Sequence, residues 1–439
     1  MSNIRSDRYA QTLARMIRME TISRREGEPA DKFHAFHALL RELFPNLFQK
    51  CFFEDFDGSF LLRWEGTTRE EPILFMNHHD VVEAPGEWKY PPFSGTIADG
   101  KLWGRGTLDT KAGLFAMLQA AEELAAEGFQ PRCDLYFFSA STEESDGSGA
   151  NQVSRILARR GIRFRLVLDE GGMILEEPIG GAKGTFAMIG LGEKGCADLK
   201  FIARSSGGHA STPGKNTPLV RLGKFMAAVE KADLFEADIP EPVCVMFETV
   251  AATMDQPLKG ILGKPRTWKP LLLKAVPMVS PVAGAMLKTT LAFTMSQGSG
   301  ASNVLPQEAF VIGNMRYSHH QGGENSIAAV RKLAERYDVE TQVLDPGFPS
   351  PLSDCKSWGF RLVEQAVGKI FPDVITSPYL MTGASDSRFM SRVSDCCLRF
   401  APFRITQEQM DSVHGIDENI DIDTLAPAVD FYRFLMTEV

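Results

Sequence analysis

In this sequence histidine and carboxylate residues stand at the ends of short apolar runs. PILFMN (72–77) leads into His78-His79-Asp80, DLYFFSA (134–140) into Ser141-Thr142-Glu143-Glu144, and FRLVL (164–168) into Asp169-Glu170. The loop WGRGTLDTKAG puts Asp109 just ahead of a helical stretch, and VHGIDENI supplies His414 from near the C-terminus. Imidazole nitrogen and carboxylate oxygen bind Zn2+ at about 2.0–2.2 Å, and a catalytic site keeps one position for water. Two such ions, roughly 3.5–4 Å apart, call for a carboxylate that can bridge them. Asp80 is placed to hold the second ring nitrogen of His78. Taken singly, each piece has an ordinary role. An Asp before a helix caps it, and adjacent His78 and His79 point to opposite faces of a strand. It is their occurrence together, at successive strand ends, that points to metal chemistry.

Such a rim needs a sheet behind it, because ligands of open α/β sheets bind beyond the carboxyl ends of the strands. SFLLRW (59–64), PILFMN, DLYFFSA and FRLVLD are short, apolar and rich in aromatic or branched residues, so they read as strands. KAGLFAMLQAAEELAAEG (111–128) sets Leu114, Met117, Leu118, Ala121, Leu124 and Ala125 at helical spacing, with Gly128 as a stop. NQVSRILARRG (151–161) repeats the pattern. Strand–helix–strand alternation predicts an α/β domain with a largely parallel sheet. From about Gly195 the order becomes β-α-β-β-α-β, the split βαβ or ferredoxin-like α+β arrangement. The expected division is a discontinuous domain of 1–193 and 347–439, with an inserted domain at 194–346.

Composition narrows the function classes. The 439 residues are 44% apolar and 23% charged, with a net charge of −9, so a nucleic-acid partner, which favours a basic face, is not expected. The cysteines are Cys51, Cys133, Cys196, Cys244, Cys355, Cys396 and Cys397, an odd number without a C-x-x-C pair. No disulfide framework or Cys-ligated zinc follows, and a reducing, cytoplasmic setting is expected. MSNIRSDRYAQTLARMIRME reads as an amphipathic helix rather than a secretory signal. The most apolar later stretch, VPMVSPVAGAML, is shorter than the roughly 20 residues that span a bilayer, so no membrane span is expected. GRGTLD lacks the third glycine of a dinucleotide fingerprint.

At these residues the chain resembles the zinc hydrolase family of acetylornithine deacetylase, succinyl-diaminopimelate desuccinylase, aminoacylase and carboxypeptidase S. The matching segments are NHHDVV, WGRGTLDTKAG, STEES, LVLDEGG, EKGCADLKFIARSSGGHASTP, SNVLPQEAFVIGNMRYS, TGASDSRF and VHGIDENI. GRGTLDTKAG with LDEGG and EKG looks most like the carboxypeptidase S branch. Glu83 stands where the family commonly has proline, a position that holds no ligand.

The resemblance implies two Zn2+ ions, with Co2+ or Mn2+ as possible substitutes. It implies His78 and Glu170 on one ion, Glu144 and His414 on the other, and Asp109 between them. It implies Glu143 as general base; Asp80, beside His78, is counted with it as a catalytic residue. The inserted domain would be a lid and a homodimer contact, with His209 reaching the neighbouring subunit's site. Asn303 and Arg316 would bind polar groups of the substrate, and Gly383 would line it. The implied reaction is hydrolysis of an amide or peptide bond beside a free carboxylate. The substrate is then a small peptide cut at its C-terminus or an N-acyl amino acid. The stretch containing KPLLLKAVPMV could line an acyl pocket or simply pack the lid.

Overall fold

The computed structural model describes residues 4–23, 28–348 and 350–439. The predicted N-terminal helix is present as Ile4–Ile17; Met1–Asn3 lie outside the described residues. In the strand Thr68–His78, every residue from Pro72 onward is buried, and Cys133–Ala140 is buried throughout. Burial on both faces is the mark of central parallel strands, and these two pair in parallel, as do Thr68–His78 and Leu166–Asp169. Their register sets His78 opposite Ala140. The three strands therefore end at one rim of the sheet, which brings the residues after each strand together.

Among the described residues the main sheet has ten strands. In spatial order they are Cys51–Phe56, Ser59–Trp64, Cys133–Ala140, Thr68–His78, Leu166–Asp169, Cys397–Arg399, Thr185–Glu193, Ile174–Glu176 and Arg404–Ile405, with Val374–Met381 paired to Thr185–Glu193. The first two strands form an antiparallel hairpin, while the centre is parallel, so the sheet is mixed but largely parallel where the site sits. Helices cover both faces. One core joins Leu114, Phe115 and Leu118 of helix Ala112–Ala126 to Phe431 and Leu435 of Leu425–Thr437 and to Phe75 and Phe137 of the sheet. The other packs Val153 and Leu157 of Ser148–Arg159 on Leu74, Met76 and Phe138.

A second, four-stranded sheet holds Thr290–Gln297, Glu308–Tyr317, Gly195–Arg204 and Glu340–Asp345 in that order, antiparallel throughout. Leu222 and Phe225 of helix Pro218–Lys231 and Val330 of Gly322–Glu335 cover it, in the β-α-β-β-α-β order read from the sequence. Between its first helix and second strand lie four further helices, Glu241–Ala251, Leu258–Leu262, Lys269–Val279 and Pro281–Leu287. Their core is shared with the main sheet: Val243, Phe247, Leu272 and Leu287 pack with Phe186, Met188 and Leu380. Among the described residues no helix is long and apolar enough to cross a membrane, and all seven cysteines are free thiols.

Candidate metal centre

Asp109 sits where the polypeptide breaks stride before a helix. Asp109 and Thr110 have non-helical dihedrals, and the regular helix begins at Ala112. The carboxylate is thereby turned toward the rim instead of capping the helix. Its Oδ1 lies 2.9 Å from His78 Nε2 and its Oδ2 3.0 Å from His414 Nε2. His414 Nε2 is also 3.0 Å from Glu144 Oε2. His414 reaches in from a loop with a left-handed backbone, φ +60°. Coordinating atoms of His78, Asp109 and Glu144 all lie within 4.8 Å of one another. Donors sharing one ion at about 2.0–2.2 Å stand about 3–3.5 Å apart, so these contacts have the spacing of a ligand set. Two imidazoles and several carboxylates form the donor mixture that suits zinc-like divalent cations.

Each of these side chains is held from behind. Asp80, fully buried, accepts from the backbone amides of Glu143 (3.3 Å) and Glu144 (3.1 Å), which fixes the turn carrying both. His78 Nδ1 lies 3.0 Å from the Asp80 main-chain carbonyl and 3.4 Å from its carboxylate, so the backbone oxygen is the closer of the two partners. Asp169 is already occupied: its Oδ1 accepts from the Glu170 amide (2.9 Å) and its Oδ2 from the Ser387 amide (2.8 Å). Of the pair Asp169-Glu170, Glu170 is thus the one whose carboxylate has no hydrogen bond among the described residues. His79 turns away from the rim. It stacks on Phe36 and its Nδ1 meets Ser139 Oγ at 2.8 Å, so it is a core residue, as alternation along the strand requires.

Two supporting residues were not singled out from the sequence. Glu418, in VHGIDENI, is buried beneath the Asp109 loop and paired with buried Arg105 at 2.6 Å. Asp386, in TGASDSRF, is 2% exposed, and neither of its carboxylate oxygens has a hydrogen-bond partner among the described residues. Both lay inside segments already flagged by their neighbours; a single acidic letter carries no sign of whether it faces metal, backbone or substrate.

The electrostatics reflect crowded acids in a low-dielectric pocket. Burial pushes Glu143 well above the usual carboxylate range, and Asp386, Glu170 and Glu144 add to it. Burial and the neighbouring Asp169 and Asp109 do the same to Glu170. Burial raises Asp386 to about 7. Burial would also raise Asp109, but its hydrogen bonds to His414 and His78 win and hold it below the ordinary range. Hydrogen bonds to Asp109 and Glu144 lift His414 to about 10. Divalent cations are the natural counter-charge for such a cluster.

The expected substrate residues fall elsewhere. His209 and Asn303 are brought together by a short ribbon, in which Gly208–His209 pairs with Val304–Leu305 and Ala210 donates to the Asn303 carbonyl at 3.0 Å. His209 is exposed, and its Nδ1 meets Ser211 Oγ at 2.7 Å. Among the described residues neither side chain has a hydrogen bond to the cluster. Arg316 lies on Glu308–Tyr317, opposite Cys196 and Thr290, and its Nε donates to Asn314 Oδ1 at 3.0 Å. At Gly383 an added Cβ would meet nothing within 4 Å, so open space adjoins it.

Comparison with known proteins agrees with this architecture. The chain is 32% identical over 412 residues to human N-fatty-acyl-amino acid synthase/hydrolase PM20D1, covering 90% of this chain and 80% of that one. It is 29% identical to the probable carboxypeptidase S-like 2 of Dictyostelium discoideum (97% and 84%). It is 25% identical to carboxypeptidase S of Saccharomyces cerevisiae (97% and 83%). The M20 family metallo-carboxypeptidase Sso-CP2 of Sulfolobus solfataricus shares its fold, with a TM-score of 0.70 at 16% identity over 98% of both chains. So does the di-peptidase Dug1p of Saccharomyces cerevisiae, with a TM-score of 0.68 at 17% identity over 99% and 96%. Residues 74–438, which carry the whole cluster from His78 to His414, match peptidase family M20/M25/M40: the chain belongs to this family of hydrolases, on its carboxypeptidase S-like branch.

Proposed function

We propose that the chain is a di-zinc hydrolase that cuts an amide or peptide bond next to a free carboxylate. The observation that carries this reading is Asp109, which offers one oxygen to His78 and the other to His414. On this reading His78 and Glu170 would hold one ion and Glu144 and His414 the second, with Asp109 offered to both. Bound there, the ions would supply Lewis acidity toward a carbonyl and toward water.

The chain's own residues do the remaining work. Glu143 takes a proton from the attacking water at its carboxylate and passes it to the leaving nitrogen. Asp80 holds the Glu143–Glu144 turn through their amides. Arg316, with a planar donor fork, binds the substrate carboxylate, and Asn303 and Gly383 line its polar portion. His209 stands on an exposed ribbon, which fits a side chain that serves the site of a second copy. The division into 1–193 with 347–439 and a lid at 194–346, the homodimer and a cytoplasmic setting belong to this proposal.

Two substrate classes share this chemistry. Release of a C-terminal amino acid fits the carboxypeptidase S relatives. Hydrolysis of N-acyl amino acids is favoured by the resemblance to PM20D1 over 90% of the chain. A hydrolysis screen of dipeptides against N-acyl amino acids, with and without a chelator, tests both. Activity that survives complete metal removal would defeat the metal reading, and the preferred substrate set separates the two classes.

A further inference from the structure

The helices inserted between the two sheets carry a surface that catalysis does not use. Helix Lys269–Val279 is apolar on opposite sides. Leu272 is buried, and Leu273 and Val276 pack against the core shared with Phe186 and Leu380. Leu271 and Met278, two turns apart at i and i+7, share an outward face, and Val279 is exposed at the end of the helix. Met278 is 86% exposed, Val279 85%, and Val282 just beyond the turn 63%. Single exposed apolar side chains are ordinary. A helix that is apolar on both faces yet covered on only one lacks an apolar partner.

Charge identifies that partner. Residues 256–307 contain Lys259, Lys264, Arg266, Lys269, Lys274 and Lys288 and no Asp or Glu, in a chain whose net charge is −9. Arg266, Lys269 and Lys288 are paired with acids from outside the stretch. Lys259, Lys264 and Lys274 have no ion pair among the described residues, and Lys274 lies between Leu271 and Met278 on the outward face. In a two-fold dimer through this face the same patch would meet itself. Lysine would then oppose lysine, with no acid in the stretch to relieve it. Exposed apolar tips flanked by unpaired lysines instead match the boundary of an anionic bilayer, where apolar side chains enter the acyl zone and lysines reach the headgroups.

We propose that Leu258–Lys288 is a docking element for anionic lipid surfaces, seated through Leu271, Met278, Val279 and Val282, with Lys264 and Lys274 on the headgroups. The element is coupled to the site's framework. Lys194, which joins the two sheets, donates from Nζ to the carbonyls of Ala285 (2.9 Å) and Lys288 (2.8 Å). Thr290, two residues on, pairs with Arg316. A substrate with an apolar tail and a carboxylate head would therefore meet the enzyme at the surface where such molecules partition. The docking surface is independent of the hydrolytic reading and goes beyond it.

Co-sedimentation of the full chain tests this, with vesicles of phosphatidylcholine alone and with about one-third phosphatidylserine. The protein should sediment with the anionic vesicles and stay in solution with the neutral ones, and about 1 M salt should release it in part. The pairs Met278→Asp/Val279→Asp and Lys264→Glu/Lys274→Glu should each weaken partitioning about tenfold or more. Neither should change hydrolysis of a short, soluble substrate. The proposal is overturned if the wild-type chain ignores both vesicle types or if the variants bind like wild type. It is equally overturned if light scattering finds a dimer that Met278→Asp/Val279→Asp splits while vesicles bind nothing. Binding is read without turnover, so a failed hydrolytic assignment leaves this result intact.

Discussion

Glu418 spends both carboxylate oxygens on the loop that presents Asp109. Oε1 accepts from the backbone amides of Leu108 (2.7 Å) and Asp109 (3.2 Å), and Oε2 from the Gly106 amide (3.0 Å) and Arg105 Nη1 (2.6 Å). His414 and Glu418 lie four residues apart on one loop. One short segment therefore delivers a candidate ligand and locks the backbone of the bridging carboxylate. Glu418→Ala would leave Arg105, itself 2% exposed, as a buried unpaired charge. Breaking such a pair costs about 3–5 kcal/mol. Urea unfolding should show that loss, and metal titration should show weaker binding in whatever fraction remains folded. A variant as stable and as metal-loaded as wild type would remove Glu418 from this role.

Glu143 is assigned to proton transfer and not to metal holding. Glu143→Ala should lower turnover by about 10²–10⁴-fold while metal content stays at the wild-type level. Metal analysis of the purified variant beside its rate constant separates the two roles. Loss of metal with loss of rate would make Glu143 a ligand instead.

His414 links metal uptake to pH. In chelator-stripped protein its imidazole is held at about 10, chiefly by the Asp109 and Glu144 carboxylates. That folded value lies above the ordinary 6.5, so the stabilisation is complete below about 6.5 and is lost as pH rises toward 10. A divalent cation must displace that proton, so its affinity should rise across the same window. Competition against a chelator at stepped pH measures it. His414→Ala should bind metal more weakly and lose most of the slope; an unchanged slope would mean another group carries the proton.

The strand ends and the helix after Asp109 were legible because short unbroken apolar runs mark buried strands and a 3.6-residue period marks the helix, and the residues following them are few. His78 over His79 follows from alternation along a strand, and the structure puts His79 in the core beside Phe36. Glu418 and Asp386 were not legible, because their roles depend on contacts with chain hundreds of residues away, such as Glu418 with Arg105. The four helices of 241–287 escaped for a different reason. Seven prolines, at 240, 242, 257, 265, 270, 277 and 281, break the periodicity into pieces too short to read. Three of those helices start at a proline within their first turn, where the missing N–H costs nothing.

His37 predicts an acid limb of stability that owes nothing to the metal centre. It is 5% exposed, with Nε2 2.9 Å from the Gly58 carbonyl and Nδ1 3.2 Å from Asp55. Burial lowers its pKa to about 4 even though Asp55 pulls the other way. The folded value lies below the unfolded 6.5, so an unfolded chain takes up the proton first. The contribution is full above about pH 6.5 and is lost as pH falls to about 4, below which both states are protonated and the slope ends. The shift is worth at most about 3 kcal/mol over that window. Carboxylates titrate in the lower part of the same range, so the informative quantity is the difference between wild type and His37→Gln. Glutamine can still donate to the Gly58 carbonyl but cannot titrate. Urea midpoints from pH 7 to 4 should fall less steeply in His37→Gln, and parallel slopes in the two proteins would show that His37 is not the group responsible.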